Sequence, residues 1–145
     1  MNIKVVNQGK DISRVIINDP KTYNSLSTKN LLDLIKVFKE LNNNKKVKVI
    51  ILEGAGKGFS AGHNLKEVRG LKKKEKYQKL FSLCSKLMIQ IVEGRKPVIA
   101  KVHGAAYAAG CQLVASCDLA YSTKDALFAT PGVNIGLFCS TPMVA

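Results

Sequence analysis

Twice in this chain an apolar strand runs into a glycine-rich turn and then into the start of a helix. That repeat constrains the fold more than any other feature. The second copy spans residues 96–118. Pro97 bounds a run containing Val98, Ile99, Ala100 and Val102, which reads as a buried strand. At His103 and Gly104 the apolar run stops and small residues take over, with Gly104 and Gly110 as breakers. From Ala108 or Ala109 a helical pattern begins, with Leu113, Val114 and Cys117 on one side and Gln112 beside them. The first copy spans residues 47–67: a strand over residues 47–52, glycines at 54, 56 and 58, then Ala61–Glu67 opening a helix. Helix starts leave backbone N–H groups without intrahelical acceptors, and small side chains let a ligand approach them closely. Two such turns converging on one carbonyl oxygen form the donor pair that holds a developing oxyanion.

The rest of the chain alternates in the same sense. Residues 3–6 and 12–17 read as paired strands joined by a turn over residues 7–11. A polar connection over residues 19–26 leads to Ser27 or Thr28, either of which caps a helix over residues 29–42. That helix places Leu31, Leu34, Ile35, Phe38 and Leu41 on one face, opposite Lys29, Asp33, Lys36 and Glu40. A longer helix is expected over residues 72–93, with Tyr77, Leu80, Phe81, Cys84, Leu87, Met88 and Ile91 at helical spacing and a solvated Lys72–Lys76 start. Short strands over residues 119–121 and 127–129 follow, and another helix opens after Ser140 or Thr141. Strand–helix–strand alternation without a low-complexity linker indicates one α/β domain with some parallel pairing.

Composition narrows the function classes. The formal net charge of +13 suits a polyanionic ligand or acidic partner, but it also describes an Asn- and Lys-rich chain with solvated lysines. The four cysteines show no CxxC pair and no secretory signal precedes them, so they read as reduced, buried thiols of an intracellular protein. Two histidines and scattered cysteines give no metal-ligand spacing. Gly54–Gly58 resembles a phosphate loop in glycine content only, because the GxxxxGK[ST] spacing is absent. The most apolar region carries Lys101, His103, Gln112 and Asp118, which marks a core and not a membrane span. Met1–Val6 already reads as a strand, so no transit peptide is visible.

Three motifs point further: Phe59–Lys66, Pro97–Ala100 with Gly104, and Gly110–Leu113 running into Cys117–Asp118. Together they resemble the crotonase (enoyl-CoA hydratase/isomerase) superfamily. The resemblance implies a spiral of ββα units followed by trimer-building helices. It spans nearly the whole chain but only about the N-terminal half of the family, so the C-terminal helical part is expected to be missing from residues 1–145. By the same resemblance the oxyanion donors are the backbone N–H groups of His63 and Ala109. The CoA-binding residues are Lys21, Thr22 and Tyr23 around the adenine, Lys66 near the phosphates, and Ala61. CoA thioester is the implied substrate or ligand, with no other cofactor. A homotrimer or hexamer is the implied assembly, and mitochondria (otherwise the cytoplasm) the implied compartment.

At one point the pattern departs from the family. The two glutamates used by hydratases fall here at Gln112 and Gly132. Glutamine orients water but exchanges no proton near neutral pH, and glycine has no side chain. The resemblance therefore implies a nominal hydratase/isomerase of fatty-acid metabolism whose chemistry is reduced, altered or absent. A non-catalytic acyl-CoA sensor or oligomer subunit is the alternative. RNA binding is a third class, known in a relative that uses a lysine-rich helix; here Asp33 and Glu40 interrupt Lys29 and Lys36, so nucleic acid is not the expected partner. His63 is the nearest titratable group to the expected hole, with a surface or packing role as the competing reading. Cys139 and Ser140 lie on a turn without an evident base, and Asp118 reads as a structural acceptor.

Overall fold

The fold is taken from a computed structural model, which describes residues 2–136. Strands β1 (Ile3–Gln8) and β2 (Ile12–Ile17) form an antiparallel hairpin, with Ile3 opposite Ile17 and Gln8 opposite Ile12. Helix α1 (Thr28–Asn43) follows, capped by Ser27, whose side chain accepts from Asn30 N–H. It returns the chain to β3 (Val49–Gly54), parallel to β2. Helices α2 (Leu65–Gly70) and α3 (Lys74–Val92) lead to β4 (Val98–Val102), parallel to β3. Then come β5 (Ala105–Tyr107), α4 (Ala109–Ala115), β6 (Leu119–Ser122) and β7 (Leu127–Ala129), and a 3-10 turn over Pro131–Ile135.

The strands fall into two sheets. The larger has the order β1-β2-β3-β4-β6, and the smaller pairs β5 with β7 in parallel. Ser60 extends the smaller sheet by a parallel bridge to Ala106. Each circuit of the chain thus lays one strand in the large sheet, one rung in the small sheet, and then a helix. The circuits are β3–Ser60–α2/α3, β4–β5–α4, and β6–β7–3-10 turn, which is the expected spiral of ββα units.

One core fills the spiral. Alternate residues of the large sheet point inward, among them Val15, Ile17, Ile50, Leu52, Val98, Ala100 and Val102. They meet Leu31, Leu34, Phe38 and Leu41 of α1 and Leu80, Leu87 and Ile91 of α3, with Phe59 and Leu113 closing the end near the turns. On the outer face Glu53 is buried yet charged, and it is paired from both neighbouring strands. Arg14 Nε donates to its Oε1 at 2.9 Å and Lys101 Nζ lies 3.5 Å from its Oε2. Asp118 plays the expected structural part, accepting from Val98 N–H at 2.7 Å and tying the end of α4 to β4.

Several expectations are corrected. The strand expected from residue 47 begins at Val49, because Val47 is still in the loop that follows α1. The long helix starts at Lys74, since Lys73 is its extended cap, and Lys72–Lys76 are exposed as expected. Phe81 does not join the core face of α3, being 48% exposed. Strand β5 lies where only small residues and breakers are legible. The thiols are not uniformly buried: Cys84 is, but Cys111 and Cys117 are half-buried, and Cys139 falls outside the described residues. Burial pushes the Cys84 thiol up to about 11, and burial with nearby Asp118 pushes that of Cys117 up to about 12, so both stay protonated near neutral pH. Among the described residues no helix is long and apolar enough to cross a membrane, and no group of three His, Cys, Asp or Glu could hold a metal ion.

Candidate functional site

The two glycine turns meet. Segment 58–63 runs between β5 on one side and residues 23–26 on the other. Toward β5, Phe59 N–H and Ser60 N–H donate to Ala105 O, and Tyr107 N–H donates to Ser60 O at 2.9 Å. Toward the other side, Ala61 N–H donates to Tyr23 O at 2.9 Å and Leu26 N–H donates to Gly62 O at 2.8 Å. Gly62 has φ +82, and a side chain there would place Cβ 2.9 Å from Tyr107 O and 3.0 Å from Ala109 N. The backbone that leads into His63 N–H therefore lies against the backbone that carries Ala109 N–H. Among the described residues neither N–H donates a hydrogen bond.

The second turn is held in an uncommon conformation. Ala108, between β5 and α4, sits at φ 49 and ψ −122, a region that L side chains rarely adopt. Such a position costs of order 1–3 kcal/mol and persists only where the surroundings enforce it. Here Ala108 N–H donates to Ala129 O at 2.8 Å, while Ala108 O accepts from Gln112 N–H at 3.0 Å. The strained residue thus aims the first N–H of α4 out of the helix. Gly110 is pressed onto the other turn, since a Cβ there would lie 2.3 Å from Ser60 O.

His63 is a packed group, as the competing reading had it. Its Nδ1 is 3.2 Å from Leu26 O, and its ring meets Phe81 edge to face at 5.2 Å between centroids. Burial lowers its pKa, opposed by the Leu26 carbonyl and by the charge of Glu67. Asn64 caps α2 by accepting from Lys66 N–H and Glu67 N–H. Beside this turn lies a cleft of about 280 Å³, whose walls include Lys21, Thr22, Tyr23, Ala61, His63 and Lys66. Six residues expected from the sequence to share one site therefore border one cleft. Gln112 is half-buried on α4, and Gly132 lies in the 3-10 turn just after β7, which β5 and the Ala108–Ala129 bond bring beside the second turn. Cys139 and Ser140 lie outside the described residues. A larger groove of about 760 Å³ opens between α1 and α3, bordered by Lys39, Lys86, Ile89 and Arg95, and none of the expected site residues lines it.

A sequence profile described as enoyl-CoA hydratase/isomerase matches residues 7–144. The chain belongs to the enoyl-CoA hydratase/isomerase family. Within the family it is 46% identical over 143 residues to enoyl-CoA hydratase domain-containing protein 3, mitochondrial, of Xenopus laevis, covering 99% of this chain and 49% of that protein. The Homo sapiens protein of the same name is 46% identical over 134 residues, covering 92% of this chain and 44% of the relative. Among solved structures, an enoyl-CoA hydratase of Mycobacterium smegmatis superposes with a TM-score of 0.95 at 44% identity, covering 99% of this chain and 56% of that one. Human enoyl-CoA hydratase domain-containing protein 3 gives 0.92 at 42% identity, again over 99% of this chain and 56% of that one. The chain spans about half the length of the curated relatives it matches.

Two parts of this candidate site were missed by reading the sequence. Asn24, in what reads as a polar connection, is fully buried at φ 55. Its Nδ2 donates to Ala55 O at 2.7 Å and Gly58 O at 2.8 Å, and its Oδ1 accepts from Asp19 N–H at 2.9 Å. Ser60, equally buried, donates from Oγ to Asn24 O at 2.9 Å. These two side chains tie the Lys21–Tyr23 wall of the cleft to the first turn. An Asx residue just after Thr-Tyr, where αL conformations are tolerated, is the available sequence signal. Asn24→Leu is expected to destabilise the protein by roughly 2–4 kcal/mol, because it strands three backbone groups, that of Gly58 buried and those of Asp19 and Ala55 partly buried, and puts a branched side chain at positive φ. Urea unfolding measures this, and an unchanged midpoint would show that solvent replaces the lost bonds.

Proposed function

We propose that this protein binds an acyl-CoA with its thioester carbonyl between His63 N–H and Ala109 N–H and its nucleotide end along Lys21, Thr22, Tyr23, Ala61 and Lys66. The observation that carries the reading is the contact of the two turns at Gly62, next to two backbone donors that have no acceptor among the described residues. Backbone dipoles fixed in this way favour the charge that develops on oxygen when a thioester becomes an enolate. Lysine suits a phosphate as a point charge. The reading places the protein in fatty-acid metabolism, in mitochondria like its named relatives, and as a trimer or hexamer.

Gln112 and Gly132 stand where the family's two acids are expected, so the hole binds and polarises while proton movement is reduced or absent. That same observation favours a second reading, a non-catalytic acyl-CoA-binding subunit. Turnover across a panel of enoyl-CoA thioesters separates the two. The binding itself is tested with acetyl-CoA against a thioether analogue of matched shape, which lacks only the carbonyl oxygen. The complete protein is expected to prefer the thioester by about fivefold or more, since a net hydrogen bond contributes roughly 1 kcal/mol. Equal affinities would remove the oxyanion assignment.

A further inference from the structure

We infer that the His63 side chain is a positioning residue for the first oxyanion donor: its imidazole locks the peptide whose N–H points to the ligand. The inference rests on the acyl-CoA reading above and adds a role for a side chain where the hole itself uses only backbone.

The peptide between Gly62 and His63 is trans, so its C=O and N–H point to opposite sides. Gly62 O accepts from Leu26 N–H at 2.8 Å. His63 N–H must therefore point away from the 23–26 segment. One hydrogen bond leaves that plane free to rock about its axis, and the imidazole supplies the second. Its Nδ1 lies 3.2 Å from Leu26 O. A carbonyl can only accept, so Nδ1 carries the proton and the ring donates. Leu26 thus offers both its N–H and its C=O, and the Gly62–His63 unit returns one acceptor and one donor. The two bonds clasp the same peptide from the same neighbour.

The ring is itself fixed. Phe81, on α3, meets it at 90° with 5.2 Å between centroids. This contact explains why a large aromatic on α3 remains 48% exposed: it packs against the turn and not against the core. Burial holds the imidazole neutral at physiological pH, against the opposing effects of the Leu26 carbonyl and Glu67. The neutral ring keeps its single proton on Nδ1 and leaves Nε2 an acceptor. Most apolar residues at position 63 would fill the same space but would donate nothing to Leu26. The catalytic carboxylates of the family have no part in this clasp; it concerns the donor alone.

Two variants separate positioning from packing. Asn places an N–H near the position of Nδ1–H, while Leu fills the space without a donor. The probes are acetyl-CoA and its thioether analogue, and the readout is the ratio of their affinities in the complete protein. His63→Asn is expected to keep the wild-type ratio within about twofold, whereas His63→Leu is expected to lose about fivefold of it, the net worth of one hydrogen bond. Thioether affinity, measured alongside, absorbs whatever the side chain at position 63 contributes to the cleft wall, so the ratio reports the carbonyl donor alone. Nitrogen NMR of wild-type His63 at neutral pH is expected to show Nδ1 protonated and Nε2 not. A wild-type protein without thioester preference would overturn the acyl-CoA reading. A wild-type preference that His63→Leu retains in full, or an Nε2-protonated ring, would overturn the positioning role alone.

Discussion

A protein carrying Gly110→Ala is expected to lose about 3 kcal/mol of stability or more, and its thioester preference with it. The added methyl would sit 2.3 Å from Ser60 O and 2.9 Å from both Ser60 C and Ser60 Cβ. Overpacking typically costs about 1–3 kcal/mol when side chains can adjust. Here the obstacle is backbone, and it is fastened on two sides. Ser60 O already accepts from Tyr107 N–H at 2.9 Å, and Ser60 Oγ donates to Asn24 O at 2.9 Å. Relieving the clash means separating the turn that begins α4 from the turn that carries His63, so the two donors part as the protein destabilises. Gly70→Ala is the control. Nothing lies within 4 Å of a Cβ at Gly70, and it closes a helix, where Ala is preferred. Urea unfolding is expected to show a lower midpoint for Gly110→Ala and none of that for Gly70→Ala. A wild-type midpoint for Gly110→Ala would mean that the two turns are not rigidly held against each other.

What the sequence made legible was set by whether a contact leaves a local mark. The strand–turn–helix repeat did, because burial imposes apolar runs and close backbone approach imposes Gly62 and Gly110. The α1 face was legible for the same reason: Leu31, Leu34, Phe38 and Leu41 recur at helical spacing and all are buried. Strand β5 was not, since three residues of Ala, Ala and Tyr carry no periodicity and are made a strand by pairing with β7, 22 residues further along the chain. The cleft residues Lys21, Thr22, Tyr23, Ala61 and Lys66 came from family likeness and not from spacing. Their meeting in one cleft depends on Asn24 and Ser60, whose partners lie more than thirty residues distant. A buried Asn looks like a loop Asn until its acceptors are known. Likewise Phe81 fits the helical stripe of α3, yet its partner is His63, which no periodicity predicts.

The unmodified protein is expected to hydrate crotonyl-CoA very slowly or not at all, and the double variant Gln112→Glu with Gly132→Glu is expected to raise the rate well above either single change. Hydration across the double bond moves two protons, one from water and one to the α-carbon, and each well-placed acid or base is typically worth roughly 10²–10⁴-fold. A backbone hole can favour the enolate but can supply neither proton. Position 112 suits a carboxylate, because Gln112 is half-buried in the first turns of α4, with its N–H bonded to Ala108 O at 3.0 Å, three residues after Ala109. At position 132 the backbone tolerates a side chain: Gly132 is not among the positive-φ glycines, so a glutamate there carries no left-handed strain. The two carboxylates share one water and one transition state, so their joint gain should exceed the product of the separate gains. The rates are read from the loss of the enoyl thioester absorbance in the complete protein, with thioester affinity measured alongside. Robust hydration by the unmodified protein, undiminished by Gln112→Ala, would place the proton-moving groups elsewhere. Additive single effects would show instead that the two positions do not face one substrate.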